Sequence, residues 1–340
     1  MGIIIAILIF SIIVIFHEFG HFILAKKNGI RVNEFAVGMG PKLFGVKKGE
    51  TEYVLRLLPL GGACIMAGED EDNTDEGTFN SKSVWARMSV VLAGPVFNFV
   101  LAFVFAVIVI AFAGITPSEV GAVAENSPAQ EAGLKAGDVI KEIGGEKVHM
   151  FDEVKMHIVL DPRSEYEIVY ERDGQTHETV VKTMAGSDGY PAIGVTAYVK
   201  KADFAEMFQY GFYEVKYNIK LVFKSLGMLF QGKLTKDDVA GPVGMAQIID
   251  ENYNTAKNYG VSSVVLTMMN LVVILSANLG VMNLLPIPAL DGGRFLFLIY
   301  EAVRGKPINR AKEGFVNFVG FALLMVLMVF ILFNDISRLF

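Results

Sequence analysis

The chain has 340 residues, 53% hydrophobic and 19% charged, with a positive mean hydropathy, which excludes an ordinary soluble enzyme and points to an integral membrane protein. Its formal net charge of −6 is small and dispersed, so no nucleic-acid partner is expected. The single cysteine, Cys64, cannot form an internal disulfide and reads as a packing residue, which leaves the redox compartment open.

Residues 1–16 carry no charged side chain, and the apolar run resumes at Phe22 to Ala25 before Lys26 and Lys27 close it. This is a segment of membrane-spanning length with His17-Glu18-Phe19-Gly20-His21 inside it. It has neither a basic start nor an A-x-A-like cleavage site, so it reads as a retained span and not as a signal peptide. On a helix the two histidines stand at i and i+4. Both imidazoles then leave one face and can reach one zinc ion, with Glu18 beside them to act on water. HExxH also arises by chance in soluble helices, but within lipid, where a central charge costs roughly 2.5 to 3.5 kcal/mol, three polar groups together point to metal binding.

Next come Val32 to Phe44, containing Gly38-Met39-Gly40-Pro41, then the turn signal Lys48-Gly49 and the apolar run Tyr53 to Leu60, ended by Pro59 and Gly61-Gly62. They read as short β-structure folding back towards the membrane. Two roles stand: an edge that holds an extended substrate by strand addition, or a hairpin that shields the site. The acidic run Glu69-Asp70-Glu71-Asp72, with Asp75-Glu76, reads as a solvated loop. A second span, about Met88 to Ala113, contains Ala93-Gly94-Pro95-Val96-Phe97-Asn98. Gly94-Pro95 reads as a kink for close helix packing, and Asn98 calls for a polar partner in the catalytic cavity, where it is a candidate substrate contact.

From Thr116 the composition turns mixed polar, with strand-like Val120 to Val123, the stretch Ser127 to Ile140 and alternating Tyr166 to Tyr170. About eighty residues of short strands with one or two helices make a small α+β domain, in which His149, His157 and His177 read as surface or packing residues. Phe204 to Phe230 has the apolar spacing of an amphipathic helix at the membrane surface; a fifth span would place the basic loops on opposite sides. Ala240-Gly241-Pro242-Val243 repeats the AGPV of the second span within no larger repeat, and nothing is drawn from it.

The last two spans are about Val261 to Leu285 and Phe315 to Phe333. Arginines and lysines concentrate between spans one and two and between spans three and four, which predicts cytoplasmic basic loops, with both termini and residues 114–260 outside. His17 to His21 and Asp291 then fall at the same cytoplasmic depth. Pro286 and Pro288 break the third helix, and such irregular backbone is tolerated in a membrane only where it is buried in protein or lines a cavity. Asp291 either completes a zinc site of two histidines and one carboxylate, with a fourth position open, or caps the helix starting near Gly292.

HEFGH in the first span, GPVFN in the second, a PDZ-like insert and NLLPIPALDGG in the third together resemble the site-2 protease family of intramembrane zinc metalloproteases, in particular the bacterial branch that processes anti-sigma factors in regulated intramembrane proteolysis. The resemblance runs over essentially the whole chain. It implies His17, His21 and Asp291 as ligands of Zn2+, Glu18 as general base, and Asn283 as a polar contact to the substrate backbone or oxyanion. It marks Gly38 and Gly40, with the following β-loop, as substrate-handling elements. SPAQEAGLKAGDVIKEIGGEKV resembles the PDZ signature, and Ala192-Ile193-Gly194-Val195 resembles a PDZ carboxylate-binding loop, which implies a groove for a peptide C-terminus. A single PDZ-like domain, where some members carry two, leaves open whether it reads peptides or filters substrates by size.

The expected protein is thus a polytopic α-helical membrane protein of the bacterial inner membrane. About four transmembrane helices carry a membrane-associated β-loop and an inserted extracytoplasmic α+β PDZ-like domain. Its expected divisions are residues 1–113, 114–200, 201–260 and 261–340, and its expected partners are transmembrane protein substrates and the lipid bilayer. Water must reach the site, which predicts a polar cavity open to the cytoplasm. A transporter would also place histidines and a carboxylate at broken helices, but it has no need of Glu18 between the histidines; a PDZ-bearing scaffold would tolerate loss of Glu18.

Overall fold

The computed structural model describes residues 2–69, 75–186, 189–233 and 240–337. In chain order the elements begin with α1 (Gly2–Lys27), β1 (Val32–Lys48), β2 (Thr51–Met66), α2 (Val84–Ala113), β3 (Val120–Val123), α3 (Pro128–Glu131), β4 (Val139–Ile143), β5 (Glu146–Lys147) and α4 (Phe151–Leu160). They continue with β6 (Glu165–Arg172), β7 (Gln175–Lys182), β8 (Met184–Ala185), β9 (Pro191–Ala192), β10 (Val195–Ala197), α5 (Phe204–Phe230), α6 (Pro242–Lys257), α7 (Val261–Leu284), α8 (Asp291–Arg304) and α9 (Arg310–Ser337). They fall into two compact units, Met1–Phe105 with Leu234–Phe340, and Ala106–Lys233. Acidic residues 70–72 of the predicted solvated loop lie outside the described residues.

Four helices, α1, α2, α7 and α9, are long and apolar enough to cross a membrane. On α1 the protein-facing stripe is Ala6, Ile9, Ile13, His17, Gly20 and His21, a helical period that carries both histidines inward, while Ile3, Ile4, Leu8 and Ile12 stay exposed as lipid-facing positions would be. The stripe packs on Leu101 of α2, Leu271, Val272 and Leu275 of α7, and Ile249 of α6.

Helix α6 is not foreseen by the sequence reading, and its start explains the repeated AGPV. Pro242 takes the first helical turn, and the backbone N–H groups of Gly241, Val243 and Gly244 donate to the Asp335 carboxylate of α9 at 3.0, 3.1 and 2.8 Å. An anion at a helix N-terminus satisfies the orphaned amides and the dipole together. In α2 the same Gly-Pro pair sits mid-helix. One tetrapeptide thus has two structural uses.

The predicted β-structure is one long irregular hairpin, turning at Gly49 (φ +65°). Strands β1 and β2 pair antiparallel at Lys48↔Thr51, and residues 34–37 of β1 pair both with 52–55 and with 62–65 of β2. That part of β1 therefore lies between two stretches of β2. Residues 61–66 are left at an edge that no other strand joins among the described residues. The hairpin base is fixed in a core of Ala25, Ile30, Val32, Met66, Phe79, Met88 and Val91, closed by Leu298 of α8.

The second unit contains a small α+β domain: a sheet of order β5-β4-β6-β7, the pairs β3 with β10 and β8 with β9, and a core of Ile140, Ile143, Val154, Ile158, Tyr166, Ile168 and Val181. Helix α5 follows with the predicted bounds, opened by a capping box in which Asp203 accepts from Glu206 N–H and Glu206 accepts from Asp203 N–H. Gly211, Val215 and Asn218 are buried, α5 packs on α4, and Phe204, Phe208, Phe212, Phe223 and Phe230 are exposed. This is the division expected of a helix lying on a membrane.

Between α4 and α5 sits an acidic cluster. Burial, with the Asp152 and Glu153 carboxylates near, pushes the half-buried Glu214 up to about 7, while Glu153 is held down by the His149 backbone N–H and the Lys220 ammonium. A carboxyl whose pKa is raised on folding adds stability that is complete below its unfolded pKa and is lost as pH rises through the folded value. Amide protection factors in α4 and α5, which take out the intrinsic pH dependence of exchange, are therefore expected to fall between about pH 4.5 and 7 and level off above, and Glu214→Gln is expected to flatten that dependence. An unchanged profile in the variant would show that Glu214 does not set it.

Candidate metal centre and active site

The site begins where α1 crosses α2 through two glycines. A Cβ on Gly20 would stand 2.8 Å from the Ala93 carbonyl carbon and 2.9 Å from Phe97 Cγ, and one on Gly94 would stand 2.6 Å from His21 Cε1 and 2.7 Å from His17 Cε1. Real Cβ atoms do not approach so closely, so both positions require glycine for the helices to meet. Pro95 follows inside α2, which runs on through it as one helix to Ala113.

At the crossing, His17 and His21 are 7% and 8% exposed, with Nε2 atoms 3.2 Å apart. His21 Nδ1 lies 2.8 Å from the Val90 carbonyl, which can only accept, so Nδ1 carries a proton and Nε2 is the ring atom that faces inward. Asp291 reaches the same point, its Oδ2 3.1 Å from His17 Nε2 and 3.4 Å from His21 Nε2. The cap of α8 is Leu290, without a side-chain cap bond, so Asp291 stands in the first turn and turns to the histidines.

Its delivery is written in the local backbone. Helix α7 ends at Leu284, Ala289 takes φ +74° with its N–H donating to Asn317 Oδ1, and α8 starts at once. A Cβ on Gly292 would lie 2.5 Å from the Leu284 carbonyl carbon and one on Gly293 2.8 Å from that of Ile287. Only glycine lets the first turn of α8 lie against the end of α7, which is the physical content of the Asp-Gly-Gly sequence.

The three ligand atoms lie within 4.8 Å of one another. Two imidazole Nε2 atoms face there a carboxylate oxygen that is buried and has no hydrogen-bond partner, an arrangement a bound cation resolves. Two imidazoles and one carboxylate fit zinc, and the three line a cavity of about 430 Å3. Glu18, Asn283, Met39, Cys64 and Arg294 line that cavity together with the three ligands. The edge of β2 forms its wall at Gly61 and Gly62, and a Cβ on Gly62 would lie 3.0 Å from Glu18 Cγ.

The other residues singled out by sequence divide. Asn283 lines the cavity with Nδ2 3.5 Å from His17 Nε2. Gly38 and Gly40, at φ +88° and +86°, lie outside the lining and flank Met39, which is part of it. Asn98 is wholly buried, its amide against His17 Nδ1. Ile193, Gly194 and Val195 belong to the second unit; Ile193 packs in that core, the Ile193 and Gly194 carbonyls accept from Ala129 and Ala124, and Val195 pairs with Val123.

Sequence reading missed two ion pairs beside the site. Arg294, one turn after Asp291 on α8, donates to Glu69 at 2.5 Å and stacks on Phe79, so Glu69 is paired and not part of a solvated run. Arg87 of α2 forms a two-pronged pair with Glu301 of α8. The Asp-x-x-Arg spacing placed Arg294 on the ligand's side of α8, but its acid, across the chain, left no local signal.

The sequence profile of peptidase family M50 matches residues 5–327. The chain belongs to peptidase family M50. A Clostridium acetobutylicum protein named as a zinc metalloprotease is 40% identical over 337 residues, covering 98% of this chain and 97% of that one. The zinc metalloprotease RasP of Shouchella clausii is 35% identical, and the regulator of sigma-W protease RasP of Bacillus subtilis 34%, each covering 98% of both chains. Among solved structures, the PDZ domain of an SdrC-like protein from Listeria monocytogenes covers 23% of this chain and 84% of its own, at 26% identity and a TM-score of 0.21. As an M50 peptidase, the protein is a membrane zinc metalloprotease, and the ion that the His17, His21 and Asp291 group fits is Zn2+.

Proposed function

We propose that this M50 peptidase is an intramembrane endopeptidase that hydrolyses a peptide bond within or near the transmembrane segment of single-span membrane proteins, after a first cut outside the membrane. The observation that carries this reading is the position of the ligands: two lie within a spanning helix and the third directly follows one, around a cavity lined by Glu18. Substrates of the anti-sigma-factor or signal-peptide-remnant type fit such a site. The basic loops support a catalytic centre near the cytoplasmic face of a bacterial cell membrane, with the PDZ-like domain and both termini outside.

Zinc bound at the three ligands supplies Lewis acidity to water and to the scissile carbonyl. Glu18 accepts the proton of the attacking water and passes it to the leaving nitrogen. Asn283 Nδ2 is placed to donate to the developing oxyanion, a contact whose loss costs on the order of 2.7–4 kcal/mol at comparable sites. The free edge at residues 61–66 pairs with an unwound stretch of substrate by strand addition, with Gly38 and Gly40 shaping the irregular stretch of β1 that carries Met39. In the PDZ-like domain, Ile193, Gly194 and Val195 form the loop that takes a peptide C-terminus.

The test reconstitutes the protein in liposomes with a synthetic single-span peptide. One cut within the hydrophobic segment is expected, faster when Pro or Gly replaces helix-favouring residues there, because a regular helix hides its carbonyls. Cleavage confined to soluble flanks, at a rate indifferent to those replacements, overturns the intramembrane reading.

A further inference from the structure

We propose that Asn98 is a positioning residue for the metal centre: its amide oxygen accepts the Nδ1 proton of His17 and so fixes the ring with the Nε2 lone pair towards the zinc. The inference rests on zinc occupying the His17, His21 and Asp291 group.

A histidine that ligates through Nε2 must carry its proton on Nδ1, and that proton needs an acceptor. For His21 the acceptor is the Val90 carbonyl of α2. For His17 the group at Nδ1 is the Asn98 amide, also on α2 and two turns further along, 3.3 Å away and 0% exposed. With the amide nitrogen turned to Nδ1, a donor faces a donor, and Asn98 Oδ1 is left buried without a partner. Oxygen and nitrogen of an amide exchange places on a half-turn within the same volume, so chemistry decides the orientation. Oxygen towards Nδ1 gives the proton its acceptor. Asn98 is anchored for this role: Ser276 Oγ of α7 donates to its backbone carbonyl at 2.8 Å, tying α1, α2 and α7 at one residue. Its complete burial assigns it to the metal and not to substrate.

The experiment measures zinc affinity of the full-length protein in detergent by chelator competition, with the visible spectrum of the cobalt-loaded form as a second readout. Asn98→Leu, which keeps the volume and removes the acceptor, is expected to weaken zinc about 10–100-fold and to shift the cobalt bands. Asn98→Asp, which keeps the oxygen, is expected to hold zinc at least as tightly as wild type. Equal losses in both variants would mean that Asn98 acts through packing alone, and wild-type affinity in both would mean no role; either overturns the proposal. If Asn98→Leu fails to fold, nitrogen-15 spectra of zinc-loaded wild type decide: a slowly exchanging Nδ1 proton on His17 upholds the proposal and a bare Nδ1 overturns it. A wild type that binds no zinc overturns the metal centre itself, a distinct result.

Discussion

Replacement of Glu18 by Gln is expected to abolish proteolysis and leave the metal in place. Glu18 is absent from the three-residue group yet lines the same cavity as all three of its members. Gln has nearly the same shape and no basic oxygen, so the rate is expected to fall by the 10²–10⁴-fold, or more, that general base catalysis supplies. Zinc content is expected to stay at about one per chain. Cleavage assays with metal analysis on both proteins check this. An active Glu18→Gln enzyme would remove Glu18 from the chemistry, and a variant without zinc would make Glu18 a structural support of the centre.

The second large effect is expected at a residue with no side chain. Gly94→Ala places a methyl group 2.6 Å from His21 Cε1 and 2.7 Å from His17 Cε1, and backbone close to both rings cannot give way without separating α1 from α2. Zinc affinity is expected to drop by at least the roughly 10–100-fold seen when supporting contacts of a metal ligand are lost, with proteolysis lost in parallel. Gly227→Ala is the matched control, because nothing lies within 4 Å of a Cβ there. Chelator competition separates the two. Equal zinc affinity in wild type and Gly94→Ala would mean that the helices meet otherwise than through this crossing.

Much of this was legible in the sequence because it rests on local pattern. The spans, α5 and the β-turn at Gly49 follow from hydropathy, amphipathic period and turn chemistry, and HExxH needs only the pitch of a helix. Asp291 was legible as a candidate, but its alternative role as a helix cap could be removed only by seeing Leu290 at the cap and the carboxylate against the histidines. Helix α6 was missed because its first turn depends on Asp335, far along the chain. The double pairing of residues 34–37 was missed for a similar reason: alternation shows that a segment is a strand, not how many neighbours it has. Gly94 read as a packing residue without indicating that the histidine rings are what it packs against.

The three candidate ligands lie far apart in the sequence: His17 and His21 are in the first helix, and Asp291 follows the third of the four long apolar ones. A ribosome therefore releases the carboxylate only after nearly everything else has been made, and Gly292 and Gly293 must then dock on the end of α7 before it can point inward. Until that moment the nascent chain holds half a centre. Order of synthesis alone thus keeps the carboxylate away from the two histidines until α7 and the first turn of α8 have been made.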